Sequence, residues 1–151
     1  SLLRLPAAVS SVEELTDGRF EPVLIDREVT GSDVTRVVIT SGKVYYDLKA
    51  AREKTKANVP IIRLEQYYPF PQTMLSEALQ QYPNATDIVY VQEEPQNMGA
   101  WPFLHDRLAS LVGGNQKLRY AGRPKSAAPA TGSHHRHEDQ QKALIETALG
   151  A

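Results

Sequence analysis

From Val34 onward, short β-branched runs alternate with stretches of helical period, and no other feature of the 151-residue chain constrains its fold as strongly. Residues 34–40, 59–64, 87–91 and 117–120 read as strands. Between them, Val44, Leu48, Ala51 and Thr55 share one helical face, and so do Met74, Leu75, Ala78, Leu79 and Tyr82. Trp101, Leu104, Leu108 and Leu111 mark a third helix; Gln141, Leu144, Ile145, Ala148 and Leu149 mark a fourth that stops at Gly150. Ser41, Pro71 and Asn97 are suited to open the first three. This order predicts βαβ units: an α/β fold with a mostly parallel open sheet and flanking helices. Residues 1–33 read as an irregular amino-terminal arm, punctuated by Pro6, Gly18, Pro22 and Gly31, in which Val23-Leu24-Ile25 is a candidate edge strand. Residues 34–151 form the α/β domain, and Arg123 to Arg136 reads as an extended link before the last helix.

Composition narrows the chemistry. The chain has no cysteine, which excludes disulfides, thiolate metal sites and cysteine nucleophiles and permits a reducing compartment. A net charge of −1 argues against a dedicated nucleic-acid binder, which needs a basic surplus. No apolar run approaches the roughly 18 residues of a membrane span, and residues 1–12 lack the basic-then-apolar layout of a secretory signal. Without an initiating Met, the chain reads as a mature product or a piece of something longer.

Charge is blocky. Residues 1–33 carry −4, residues 34–63 carry +5, residues 64–100 carry −5, residues 101–125 carry +4 and residues 126–151 carry −1. In an open parallel sheet the carboxyl ends of the strands and the amino ends of the following helices share one edge. Thr40-Ser41-Gly42-Lys43 lies at such a turn, where free N–H groups, the helix dipole and an ammonium favour an anion. Arg63 and Arg123 point toward the same edge, with pairing to Glu65, Glu93 or Glu94 as the structural alternative. Glu93 and Glu94 are adjacent, so they face opposite sides of their strand and do not readily share a proton; one is expected to serve Arg63 or Arg123. His134, His135 and His137 lack a third ligand at a defined spacing, and no metal is expected. Tyr45-Tyr46, Tyr67-Tyr68-Pro69-Phe70-Pro71 and Trp101-Pro102-Phe103 read as packing or interface anchors. The chain has no G-x-G-x-x-G, G-x-x-x-x-G-K-[ST], G-x-S-x-G or H-E-x-x-H motif.

A succession of longer words carries a resemblance. These are Ser1-Leu2-Leu3-Arg4 with Ala7-Ala8-Val9-Ser10, Val34-Thr35-Arg36, Thr40-Ser41-Gly42-Lys43-Val44-Tyr45-Tyr46, and Arg63-Leu64-Glu65-Gln66 leading into Tyr68-Pro69-Phe70-Pro71. They continue with Gln92-Glu93-Glu94-Pro95-Gln96-Asn97-Met98-Gly99-Ala100-Trp101, Tyr120-Ala121-Gly122-Arg123-Pro124 and Ala127-Ala128-Pro129-Ala130-Thr131-Gly132. In these words the chain resembles the carboxyl-terminal domain of the thiamine-diphosphate-dependent decarboxylating component of 2-oxoglutarate dehydrogenase. The resemblance implies a transketolase-like carboxyl-terminal domain in a parent that uses thiamine diphosphate and Mg. That parent decarboxylates 2-oxoglutarate and passes the succinyl group to a lipoyl arm of the dihydrolipoyl succinyltransferase component. The family's Gly-Asp-Gly cofactor motif is absent here, so the fragment is expected to hold no cofactor and to be inactive alone. The resemblance further implies a homodimer, contact with the remaining domains of the parent chain, and a bacterial cytoplasmic or, alternatively, mitochondrial matrix location. In some bacterial members this domain helps to bind acetyl-CoA or AMP; here Lys43, Arg63 and Arg123, with Arg36 and Arg119 as weaker candidates, are the cations available for such phosphates.

Two other readings compete. One is a free-standing small-molecule-binding α/β module; the other is a small hydrolase that relies on Glu93 or Glu94.

Overall fold

A computed structural model describes residues 2–150. Five strands, β1 (Val23–Leu24), β2 (Arg36–Thr40), β3 (Ile61–Leu64), β4 (Asp87–Pro95) and β5 (Lys117–Arg123), form one sheet in the order β1-β3-β2-β4-β5. β1 runs antiparallel to β3 and every other pairing is parallel. The register places Val38 beside Ile61 and Val89, and Tyr90 beside Tyr120. The expected α/β architecture is the one observed.

Strand alternation sends neighbouring residues to opposite faces, and each face is covered by two helices. Val37, Ile39, Ile62, Leu64, Ile88 and Tyr90 pack against Leu75, Ala78 and Leu79 of α3 (Gln72–Gln80) and Leu104 and Leu108 of α4 (Trp101–Ala109). Val38, Ile61, Val89, Val91 and Ala121 pack against Val44 and Leu48 of α2 (Val44–Thr55) and Leu144, Ala148 and Leu149 of α5 (His134–Leu149). The strands are therefore buried on both faces, which is why they read as continuous apolar runs.

The amino-terminal segment behaves differently. A 3₁₀ turn (Leu2–Arg4) and α1 (Val12–Thr16) bury no residue, although Ser11 and Glu14 close a capping box at the start of α1. Leu3, Val9, Val12, Leu15 and Phe20 are exposed, whereas Val23 and Val34 join the core.

Several boundaries differ from the sequence expectation. Ser41 does not cap α2: Lys43 stands at that position without a side-chain bond, and Tyr45 N–H and Tyr46 N–H instead donate to the Gly42 and Lys43 carbonyls in a tightened first turn. Asn97 does not cap α4 either, because the cap position falls three residues later, at Ala100; the Trp101 N–H donates to the Gln92 side chain at 3.0 Å. Pro71 sits just before α3 and not in its first turn. α5 begins at His134, seven residues before the apolar period becomes visible, since its first two turns project from the core and need no apolar stripe. The extended link is correspondingly shorter.

Candidate functional site

The carboxyl edge of the sheet gathers the turn after β2 and the ends of β3, β4 and β5. Thr40, fully buried, donates its hydroxyl to the Val91 carbonyl at 3.0 Å and fixes the turn, where Gly42 takes φ +70. Lys43 then projects from the start of α2. Its ammonium lies 3.0 Å from Asp47 and 3.9 Å from Glu93. The hydrogen bond to Asp47 raises its pKa, opposed by partial burial and reinforced by the Asp47 and Glu93 charges.

Gln141 of α5 donates to both Asp47 (3.0 Å) and Glu93 (3.1 Å), so one amide ties α2, β4 and α5 together above the edge. Glu93 accordingly serves Lys43 and Gln141, not Arg63 or Arg123 as the strand position suggested. The reason is facial: β4 turns Glu93 toward α2 and α5, beneath the Lys43 side chain, while Glu94 is exposed.

Arg63, on the same face at the end of β3, bonds Glu65 at 3.0 Å and stacks its guanidinium 4.6 Å from the Tyr45 ring centroid. Burial pulls its pKa down, but the Glu65 bond and charge more than reverse this and leave it raised. Arg123 ends β5, two strands from the Lys43 turn. It is 8% exposed, donates through Nη2 to His137 Nδ1 at 2.8 Å, and its Nε has no partner among the described residues. Lys43, Arg63 and Arg123 are thus on one face of one edge. Across β3, β2, β4 and β5 they span three strand spacings, about 14 Å at the usual separation.

The two weaker candidates lie elsewhere. Arg36 opens β2 and bonds Asp87 at 2.7 Å; Arg119 approaches the same carboxylate at 3.3 Å. Both therefore belong to the amino edge, where Arg36 also donates to the Ala148 carbonyl at the end of α5. A position at the start of a strand cannot reach the opposite rim, and Asp87 holds both side chains at this edge.

Sequence reasoning did not assign Asp47, Gln141 or His137 to this rim: it read Gln141 only as part of the last helix and weighed His137 only as a metal ligand. Asp47 was within reach, since an acid four residues after a lysine is a helical pair. Gln141 and His137 come from a helix whose placement only the tertiary structure reveals. His134 lies 3.4 Å from Glu138, and among the described residues no three His, Asp or Glu side chains converge as metal ligands. Beside Lys43, Tyr46 and Asp47, an apolar wall of Leu2, Leu5 and Ala7 completes a groove of about 310 Å³.

Residues 9–149 match the family model described as 2-oxoglutarate dehydrogenase C-terminal. The 2-oxoglutarate dehydrogenase E1 component of Cupriavidus necator is 51% identical over 151 residues, and that of Haemophilus influenzae is 50% identical over 152. The oxoglutarate dehydrogenase of Buchnera aphidicola is 44% identical over 152. Each alignment covers 99% of this chain and 16% of the relative, so the chain spans about one-sixth of the length of the curated relatives it matches.

Proposed function

The chain belongs to the 2-oxoglutarate dehydrogenase C-terminal family, and from that premise we propose that it is the non-catalytic carboxyl-terminal domain of an E1 component. The parent would decarboxylate 2-oxoglutarate on thiamine diphosphate in the bacterial cytoplasm and pass the succinyl group to the lipoyl arm of its succinyltransferase partner. This domain's own residues do not fit that cofactor. They include no Gly-Asp-Gly triplet, and among the described residues no acidic or histidine cluster suits the metal that accompanies a diphosphate.

What the domain supplies is surface. The observation that carries this reading is the amino-terminal arm, where Leu3, Val9, Val12, Leu15 and Phe20 are between 66% and 98% exposed along 18 residues. Apolar side chains left exposed in succession along one segment support a contact with another body, here the remaining domains of the parent and its dimer mate. The carboxyl rim would add regulation: that Lys43, Arg63 and Arg123 share one face of this edge, with the groove along Tyr46 beside Lys43, supports a role in meeting the phosphates of acetyl-CoA or AMP.

Reconstitution tests the assembly. The chain alone should not turn over 2-oxoglutarate, and adding it to the separately produced remainder of the parent should restore activity; Leu15→Lys with Phe20→Lys should abolish that rescue. Turnover by the chain alone overturns the proposal. For the effector, calorimetric titration of acetyl-CoA or AMP into the reconstituted enzyme should give heat that Lys43→Ala reduces, and an absence of heat counts against it.

A further inference from the structure

An arginine fixes the protonation of whatever accepts from it, because its guanidinium stays charged and offers only donors. Arg123 Nη2 donates to His137 Nδ1 at 2.8 Å. That nitrogen therefore presents a lone pair, and the imidazole is neutral with its proton on Nε2. A proton on Nδ1 as well would set two cations nitrogen to nitrogen at the same distance. The bond and the charged ring exclude each other.

Position gives this exclusion a consequence. The buried side chains of α5 begin at Leu144, and ahead of it, among the described residues, the side-chain bonds that hold the helix to the rest of the domain are those of His137 and Gln141. The Ser133 cap reaches the Arg136 N–H only at 3.5 Å, the outer limit of a hydrogen bond. The opening turn has no acid to favour the helix dipole. It leans on Arg123, which is 8% exposed and cannot turn away to solvent.

No neighbouring charge offsets a proton on His137. The elements packed against this half of α5 contribute Arg123 from β5, Glu93 from β4, and Lys43 and Asp47 from α2. Both of those carboxylates are engaged by Lys43 and Gln141. On α5 itself, Glu138 meets His134 at 3.4 Å, while His135, Arg136 and Asp139 are exposed. Among the described residues, no acid lies within ion-pair distance of His137.

We propose that the bond between Arg123 and His137 is a proton-operated latch: at neutral pH it holds the opening turn of α5 on the sheet edge, and protonation of His137 releases that turn. The latch does not depend on the effector reading. Its size follows from linkage. An opened turn whose histidine binds protons with the ordinary pKa of about 6.5, against a closed turn that excludes them, gains about tenfold in opening between pH 7.5 and 5.5.

NMR of the 151-residue chain tests it in two ways. At pH 7.5 the ring nitrogens of His137 should report the Nε2–H tautomer. Amide exchange at residues 137–140, corrected for the intrinsic pH dependence of exchange, should lose about tenfold in protection between pH 7.5 and 5.5, while β2 and β4 stay unchanged. His137→Asn replaces Nδ1 by an amide oxygen that accepts at either pH, so protection of this turn should become independent of pH, whatever its level. His134→Asn and His135→Asn should keep the full response. A proton on Nδ1 at pH 7.5, equal protection at the two pH values, or an undiminished response in His137→Asn would each overturn the latch.

Discussion

Asp26 and Arg52 form a buried ion pair, 5% and 6% exposed at their side chains, that ties the chain after β1 to α2. Asp26 also accepts the Ile61 N–H at 2.8 Å, and Arg52 reaches Glu28 and the Val59 carbonyl, so one carboxylate anchors the segment, a helix and the start of β3. Removing it leaves the Ile61 amide unpaired and the buried Arg52 guanidinium with only the half-exposed Glu28 as a counter-charge. Asp26→Ala should cost about 3–5 kcal/mol, whereas Lys49→Ala, which breaks only the outer contact to Glu28, should cost within about 1 kcal/mol. Urea unfolding of the two variants checks the contrast, and similar losses would contradict it.

Gly150 ends α5 at φ +77, and a Cβ there would lie 2.1 Å from the Arg36 guanidinium that caps the helix. Gly150→Ala therefore combines left-handed strain with displacement of Arg36. A loss of about 1–3 kcal/mol is expected, concentrated in α5. Amide hydrogen exchange should show the last turns of α5 opening first while β2 and β4 stay protected.

Gln92 is buried and holds the turn between β4 and α4. Its amide nitrogen donates to the Met98 and Pro95 carbonyls at 2.8 and 3.2 Å, and its oxygen accepts the Trp101 N–H. Gln92→Ala leaves these groups unpaired inside the protein, at a cost of about 1–3 kcal/mol. Trp101, the chain's single tryptophan, stacks on Tyr90 with ring centroids 5.5 Å apart, so its emission should shift to the red as the turn loosens.

Burial holds the Tyr90 phenol far above the usual tyrosine range, with Tyr67 adding to the effect, and burial also raises Tyr82 and Tyr120. Below about pH 10 these phenols are neutral in both folded and unfolded chains. Above that the unfolded chain releases protons that the folded one retains, so stability falls as pH rises. Lys43 and Lys49, raised chiefly by their bonds to Asp47 and Glu28, act in the same direction: their contribution is complete below the unfolded lysine pKa and fades as pH climbs through the folded value. Denaturation midpoints should be flat from about pH 7 to 9 and drop beyond about pH 10. Tyr90→Phe should make the drop shallower, and an equally steep drop in that variant would refute the role of Tyr90.

The elements were legible because periodicity is a local property: residues 34–40 and 87–91 read as strands since both their faces needed apolar cover, and the face of α2 from Val44 to Thr55 was written at helical spacing. The carboxyl rim followed from parallel connectivity, which brought Lys43, Arg63 and Arg123 to one edge without any knowledge of contacts. The sequence by itself could not tell which cations were already matched. Asp87 joins Arg36 across 51 residues and Gln141 joins Asp47 across 94, and such pairings depend on where helices land on a sheet. Only the tertiary structure decided that Arg36 clamps α5, that Glu93 belongs to Lys43, and that Arg123 is buried beside His137 with no acidic partner among the described residues. Periodicity acts between neighbours in sequence, while charge compensation acts through space at a few ångströms, and folding alone sets those distances.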